Sequence, residues 1–119
     1  MTFDDSVFEF SARWYALGVV TPERLAALRT IWDAGEDRSP EHYRWRAFRE
    51  FVAERRPLAP ESAAELYALG AEDRDRPMGE AMMHAILELP ECPAEVMAAA
   101  HASGIRHLIR AVERRRAAI

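Results

Sequence analysis

Hydrophobic side chains between residues 42 and 52 repeat with the period of an α-helix. At about 100° per residue they fall on one broad arc. The arc consists of Tyr43, Ala47, Phe48, Phe51 and Val52, and Trp45 extends it. Arg46, Arg49 and Glu50 lie on the opposite side. An apolar face this wide predicts a helix that packs against neighbours on more than one side.

Capping residues, prolines and glycines divide the whole chain into about seven predicted helices. The first runs from about Asp4 to Leu17, and its apolar stripe consists of Phe3, Val7, Phe10, Trp14 and Leu17, with Phe8 on a weaker edge. The later helices begin near Pro22, Pro40, Pro60, Pro77, Pro93 and Ile105. Glycines such as Gly70 are expected to end them. No segment alternates apolar and polar residues as a strand does, so the sequence predicts an all-α fold.

The predicted helices after residue 20 fall into three similar pairs. Pro22, Pro60 and Pro93 each open a short helix that a second amphipathic helix follows, and these prolines are 38 and 33 residues apart. The second helix of the first pair and the second helix of the next pair have matching apolar positions when the sequence is shifted by 35 residues. Tyr43, Phe48, Phe51 and Val52 then fall on Met78, Met83, Ile86 and Leu87. A period of this length with two helices per unit is typical of an α-solenoid.

With these proline openings, glycine ends and apolar positions, residues 21–119 resemble HEAT-like repeat proteins. The resemblance implies a curved stack of antiparallel helix pairs that serves for binding, and it brings no catalytic residues. We therefore expect one domain over residues 1–119, in which residues 1–20 form a capping helix and residues 21–56, 57–90 and 91–119 form helical hairpins. A compact irregular bundle of about seven helices is the structural alternative.

Composition narrows the function classes. The chain has 119 residues, of which 50% are hydrophobic and 30% charged, an ordinary balance for one globular domain. All 16 basic residues are arginine, because lysine is absent. Genome composition explains this bias, and selection for the bidentate guanidinium group is the alternative. The formal net charge of -4 argues against a general nucleic-acid binder.

Cysteine usage and the N-terminal sequence bear on the compartment. Cys92 is the single cysteine, which rules out an intrachain disulfide and favours a reducing compartment. The first residues lack the basic leader and apolar core of a signal peptide. No apolar run approaches the roughly 18 residues that a membrane span requires. We expect a cytoplasmic protein with no membrane association, and the composition bias favours a bacterial source.

The aromatic helix offers a first candidate binding surface. Arg44 lies within its apolar arc, so its stem either packs along the core while the charge reaches solvent, or its guanidinium is partly buried and pairs with a carboxylate or a ligand. Beside it, Trp45, Arg46 and Arg49 would form a basic aromatic surface, since arginine near tryptophan is a common interface anchor. The alternative is a solvated face on which Glu50 balances the arginines.

The last predicted helix offers a second surface. From Gly104 onward there are five arginines and one glutamate. Arg106, Arg110 and Arg114 recur every four residues and therefore share one face of a helix. Such a row could bind phosphates or an acidic partner protein. The alternative is that these cations complement the negative end of the helix dipole on a frayed tail.

Catalytic and metal chemistry find little support. The four histidines and Cys92 show no metal-ligand spacing, and we expect no metal or cofactor. Cys92 precedes Pro93 at a helix start, where a thiol pKa can be lowered, but no base is specified nearby. We expect a non-enzymatic helical-repeat domain that binds a protein partner, for instance a bacterial regulator or neutraliser of another protein. A nucleic-acid-associated protein that uses the arginine-rich last helix is the alternative, and the oligomeric state is not predicted.

Overall fold

The computed structural model of the protein describes residues 5–35 and 39–118. Within these ranges the chain is all-α, as predicted, and no residue belongs to a β-strand. A 3₁₀ turn at Asp5–Phe8 precedes seven α-helices: α1 (Ala12–Ala16), α2 (Pro22–Asp33), α3 (Pro40–Arg55), α4 (Pro60–Glu72), α5 (Arg76–Leu87), α6 (Ala94–His101) and α7 (Arg106–Ala117). None of the helices in the described ranges has the length and apolarity that crossing a membrane requires.

The contacts divide the chain into two compact units, Met1–Arg55 and Arg56–Ile119. In the first unit α2 and α3 run antiparallel. Arg24, near the start of α2, pairs with Glu54 near the end of α3 at 2.7 Å. Trp32 at the other end of α2 packs edge-on against Tyr43 near the start of α3, with ring centroids 5.4 Å apart.

The predicted continuous helix from Asp4 to Leu17 is wrong; its first residue, Asp4, and Phe3 of its apolar stripe lie outside the described ranges. The 3₁₀ turn ends at Phe8, and Glu9 adopts a φ of 60°, which separates the turn from α1. This left-handed conformation costs about 1–2 kcal/mol in a residue with a side chain. It directs Phe8 into the core, where the ring is fully buried and stacks on Tyr43 at 4.7 Å between centroids. Burial of a phenylalanine contributes about 1.5–3 kcal/mol, which offsets that cost.

The second unit stacks two helical hairpins. Helix α4 packs against α5, and α6 packs against α7. The first helices of the two pairs, α4 and α6, also contact each other, as do the second helices, α5 and α7. Leu66, Met82, Ile86 and Leu108 are at most 2% exposed and lie in the core between these helices. These contacts are compatible with the predicted helical repeat and also with the compact bundle that was its alternative.

Gly70 does not end α4, as the sequence analysis expects, because the helix continues to Glu72. Its small size has a different purpose. A Cβ atom at Gly70 would lie 2.8 Å from the carbonyl oxygen of Gly79 in α5, and a Cβ at Gly79 would meet the carbonyl oxygen of Gly70 in turn. The two backbones therefore touch where α4 and α5 cross, a close approach that only glycine permits.

Candidate functional site

Arg44 is the one charged residue in the core of the described ranges, with 3% of its surface exposed. Its Nη1 donates to the carbonyl oxygen of Phe8 at 3.0 Å and lies 3.4 Å from Oε2 of Glu9. The guanidinium thus pairs with a carboxylate and binds the backbone at the turn before α1. The side chain does not extend to solvent, so the interpretation of Arg44 as a solvent-reaching cation is wrong. Contact with a partner requires an exposure that this side chain does not have.

The other residues predicted on the aromatic helix do come together. A shallow cleft of about 230 Å³ in the first unit is lined by Ile31, His42, Tyr43, Trp45, Arg46 and Arg49. Trp45 stacks on Phe48 with ring centroids 6.0 Å apart. Nε of Arg46 lies 3.6 Å from Oε1 of Glu50, which is the ion pair expected on a solvated face. Glu50 also binds Arg24 at 2.9 Å, so this carboxylate is shared between two guanidinium groups.

Arg106, Arg110 and Arg114 form a row on α7, which we call the arginine row. All three side chains are exposed. No hydrogen bond or ion pair joins them to another residue that the structure describes. At 1.5 Å per residue the row is about 12 Å long, and its members lie within about 80° of the helix circumference. Three guanidinium groups are therefore available to an anionic partner.

The helix dipole does not account for the whole arginine row. Arg114 lies in the last turn of α7, where a cation interacts favourably with the negative end of the dipole. Arg106 is the first residue of α7 and lies at the positive end, where a cation is disfavoured. The row also belongs to a regular helix that continues to Ala117, and not to a tail without structure. Arg106 and Arg110 therefore need another explanation.

Arg115 has a structural function that the sequence analysis missed. Its Nη1 donates to the carbonyl oxygens of Leu87, at 2.6 Å, and of Leu89, and its Nη2 donates to that of Pro90, at 2.6 Å. These carbonyls lie at and just beyond the C-terminal end of α5, where a helix leaves acceptors unpaired. The helical period contains a signal for this contact. Arg115 lies seven residues after the fully buried Leu108, and so on the buried side of α7.

Two of the histidines lie beside carboxylates, and Cys92 is buried. Nε2 of His107 lies 2.6 Å from Oε1 of Glu80, and Nε2 of His84 lies 3.2 Å from Oε1 of Glu88. Glu80 and His84 belong to α5, Glu88 directly follows it, and His107 belongs to α7. The described residues contain no group of three or more ligands that could hold a metal ion. Burial raises the pKa of the Cys92 thiol, which contradicts the lowered pKa considered for a helix start.

The fold and these surfaces define a class, an all-α protein built of helical hairpins with an exposed arginine row. No family model, curated protein or solved structure matches the chain.

Proposed function

We propose that this protein binds an acidic partner protein through the arginine row and does not itself catalyse a reaction. One observation carries the proposal: three exposed guanidinium groups, one helical turn apart, have no anionic partner among the described residues. The chain has 20 acidic residues against 16 arginines, so unpaired cations are not a consequence of scarce carboxylates. Exposed cations kept free in an acidic chain favour an anion supplied from outside.

A protein partner fits better than nucleic acid. Binding to duplex DNA gains affinity from each phosphate that a cation neutralises, with a salt slope of about -0.9 per contact. Three contacts would give a salt slope of only about -2.7, which is much less steep than the value of about -10 for a strong repressor. The net charge of -4 also opposes a long polyanion. Binding of nucleic acid by α7 remains the second candidate, because its guanidinium groups would suit phosphates as well.

The stacked hairpins support a finer version of the proposal. In the second unit, α4 contacts α6 and α5 contacts α7. A HEAT-like repeat would have the same order, in which equivalent helices of successive hairpins lie side by side. Repeat proteins of this kind bind partners on the extended concave surface that their stacked helices form, and α7 would be the terminal helix of such a stack. We propose that the protein regulates or neutralises another protein in the bacterial cytoplasm.

Charge reversal of the arginine row tests the proposal. The variant Arg106→Glu/Arg110→Glu/Arg114→Glu is compared with a control that makes the same charge change at other exposed arginines, Arg13→Glu/Arg29→Glu/Arg74→Glu. A glutamate-rich peptide and a DNA duplex serve as probes in a salt series, and circular dichroism checks that each variant is folded. We expect the peptide to bind the wild type and the control variant at low salt. It should not bind the variant in which the arginine row is charge-reversed.

Three results would contradict the proposal. Absence of peptide binding to the folded wild type at low salt would remove it altogether. Tighter binding of duplex DNA than of the peptide, lost in the row variant alone, would transfer the function to the nucleic-acid alternative. Equal loss of peptide binding in the control would show that net charge matters and not the row.

A further inference from the structure

The cleft of about 230 Å³ in the first unit combines an indole ring with two exposed guanidinium groups. Trp45, Arg46 and Arg49 line it from α3, and Ile31 lines it from α2. The three side chains of α3 share one face of the helix, because Arg49 follows Trp45 by four residues and Arg46 by three. A cavity of about 150 Å³ holds a benzene molecule, so this cleft has room for one aromatic ring and a small charged group.

The wall of the cleft is mainly apolar. Trp45 and Ile31 are half-buried, so part of each side chain remains open to a ligand. The indole is supported by the buried ring of Phe48, which lies 6.0 Å away between centroids with the ring planes 24° apart. An aromatic ligand gains from such a wall, because stacked rings are more stable than their buried area alone explains. Apolar walls with a few polar groups that fix orientation are typical of small-molecule sites.

The positive charge beside this wall is not balanced within the cleft. Arg49 has no hydrogen bond or ion pair with a residue that the structure describes. Arg46 has one ion pair within the described ranges, at 3.6 Å from Glu50, and the same carboxylate binds Arg24 more closely at 2.9 Å. None of the lining residues that the structure describes is acidic. An anion in the cleft would therefore meet two guanidinium groups, whose planar N–H donors match a carboxylate.

We propose that this cleft binds a small aromatic carboxylate. The ring lies between Trp45 and Ile31, and the carboxylate accepts hydrogen bonds from the guanidinium groups. A ring joined directly to its carboxylate suits the short distance between the indole and Arg49, which are one helical turn apart. The site shares no residue with the arginine row, so it goes beyond the proposed function and does not depend on it.

Benzoate is the probe, and two simpler molecules are its controls. Acetate keeps the carboxylate without the ring, and benzamide keeps the ring without the charge. The isotope-labelled full chain is titrated by NMR, in which the indole N–H signal of Trp45 is identified by its loss in Trp45→Phe. We expect benzoate to shift this signal with a dissociation constant of about 1 mM, which is typical of so small a ligand. Acetate and benzamide should bind at least about tenfold more weakly.

A change at Arg49 links the binding to this cleft. Arg49→Gln removes the charge from an exposed side chain and should weaken the binding of benzoate about fivefold, because charged hydrogen bonds to the carboxylate are lost. Arg110→Gln makes the same change at an exposed arginine of α7 and is the matched control. It should bind benzoate as the wild type does. Circular dichroism checks that both variants are folded.

Several outcomes would overturn the aromatic carboxylate site. One is the absence of a saturable shift of the Trp45 signal in the folded wild type, and another is equal binding of benzoate and acetate. Equal losses in Arg49→Gln and Arg110→Gln would show that net charge alone attracts the anion. None of these results bears on the arginine row, which is tested with the acidic peptide.

A different occupant of the cleft is tested with a short peptide. Three alanines followed by a C-terminal phenylalanine, with the N-terminus acetylated, carry a ring and a free carboxylate at the end of a chain. Binding at least about tenfold tighter than that of benzoate, and lost in Arg49→Gln, would overturn the small-molecule site and make the cleft a docking site for the end of a protein chain. We expect the peptide to bind no more tightly than benzoate.

Discussion

Single arginines pair with backbone carbonyls that the helices of this chain leave open. Arg44 donates to Phe8 at the turn before α1, and Arg115 donates to Leu87 and Pro90 at the end of α5. A guanidinium group suits this task because it carries five N–H donors in a fixed plane and cannot lose its charge. The same residue type, placed on the exposed side of α7, is left free for a partner. The face of the helix on which an arginine lies thus decides whether it binds carbonyl groups of the fold or stays exposed to a partner.

Substitution of Arg115 should destabilise the fold. Arg115→Ala removes donors from three carbonyl oxygens, and hydrogen bonds to charged groups contribute about 1.5–3 kcal/mol each in favourable cases. Because Arg115 is partly exposed and water can reach the site, we expect a loss of about 2 kcal/mol in the free energy of unfolding. Urea denaturation measures it. Arg116→Ala, at the exposed neighbour, should change the value by less than about 0.5 kcal/mol, and equal losses in the two variants would contradict the assignment.

The crossing of α4 and α5 depends on two glycines that face each other. Gly70 and Gly79 are both buried, and each lies against the backbone of the other helix. A glycine inside a helix normally costs about 1 kcal/mol relative to alanine. That loss is offset here because the close approach allows Met82 and Met83 to pack beside the crossing. The sequence therefore contains a residue that weakens the isolated helix but strengthens the helix pair.

Gly70→Ala should reverse the usual effect of such a change. In an exposed helix the substitution stabilises by about 1 kcal/mol. Here the new Cβ would lie 2.8 Å from the carbonyl oxygen of Gly79, which is backbone and cannot rotate away. Overpacking of this kind costs about 1–3 kcal/mol, and we expect thermal unfolding to show a net loss. Ser62→Ala, at an exposed position of α4, should be neutral or stabilising. A stabilised Gly70→Ala variant would rule out the close crossing.

Glu91 connects the segments that precede the two hairpins of the second unit. Its carboxylate receives hydrogen bonds from Nε and Nη2 of Arg56, at 3.1 and 3.0 Å, and from the backbone N–H of Leu58 at 3.0 Å. The pKa of Glu91 falls from 4.5 to about 2. The hydrogen bonds from Arg56 are the largest cause, and those from backbone N–H groups come next. The contact thus attaches the chain before α4 to the loop between α5 and α6.

This contact should make stability depend on pH in a defined window. Because the pKa of Glu91 is lower in the folded state, its carboxylate stabilises the fold above pH 4.5, and this contribution is lost as the pH falls to about 2. The difference in unfolding free energy between the wild type and Glu91→Gln should therefore be constant near neutral pH and shrink towards zero at about pH 2. Urea titrations at several pH values measure this difference. A difference that persists unchanged at the acid end would exclude ionisation as its source.

At the scale of the whole molecule, the all-α class and most helix starts follow from local signals. Proline at the first position sets the starts of α2, α3 and α4 through its fixed φ and its missing N–H. The break at Glu9 could not be predicted locally, because it serves the burial of Phe8 against a ring some 35 residues away. The arginine row follows from periodicity alone, whereas the carbonyl partners of Arg115 depend on tertiary packing.

The charge of the whole molecule sets the rate at which an acidic partner approaches. The chain carries a net charge of -4, so an acidic protein is repelled at long range although the arginine row attracts it at contact. These two effects differ in range. Long-range repulsion is screened by salt, with a Debye length of about 8 Å at physiological ionic strength. Contact with the row acts mainly on dissociation, because it is formed only in the bound complex.

Neutralising carboxylates outside α7 should therefore accelerate binding without tightening the contact. Glu61→Gln/Glu65→Gln/Glu95→Gln changes exposed positions on α4 and α6 and brings the net charge from -4 to -1, since -4 + 3 = -1. In stopped-flow experiments with the acidic peptide at low salt, the association rate should rise while the dissociation rate stays the same. The gain should fade as the Debye length falls to about 8 Å. The charge-preserving variant Glu61→Asp/Glu65→Asp/Glu95→Asp is the control. A changed dissociation rate would mean that these carboxylates touch the bound partner, and the partner would then extend beyond the arginine row.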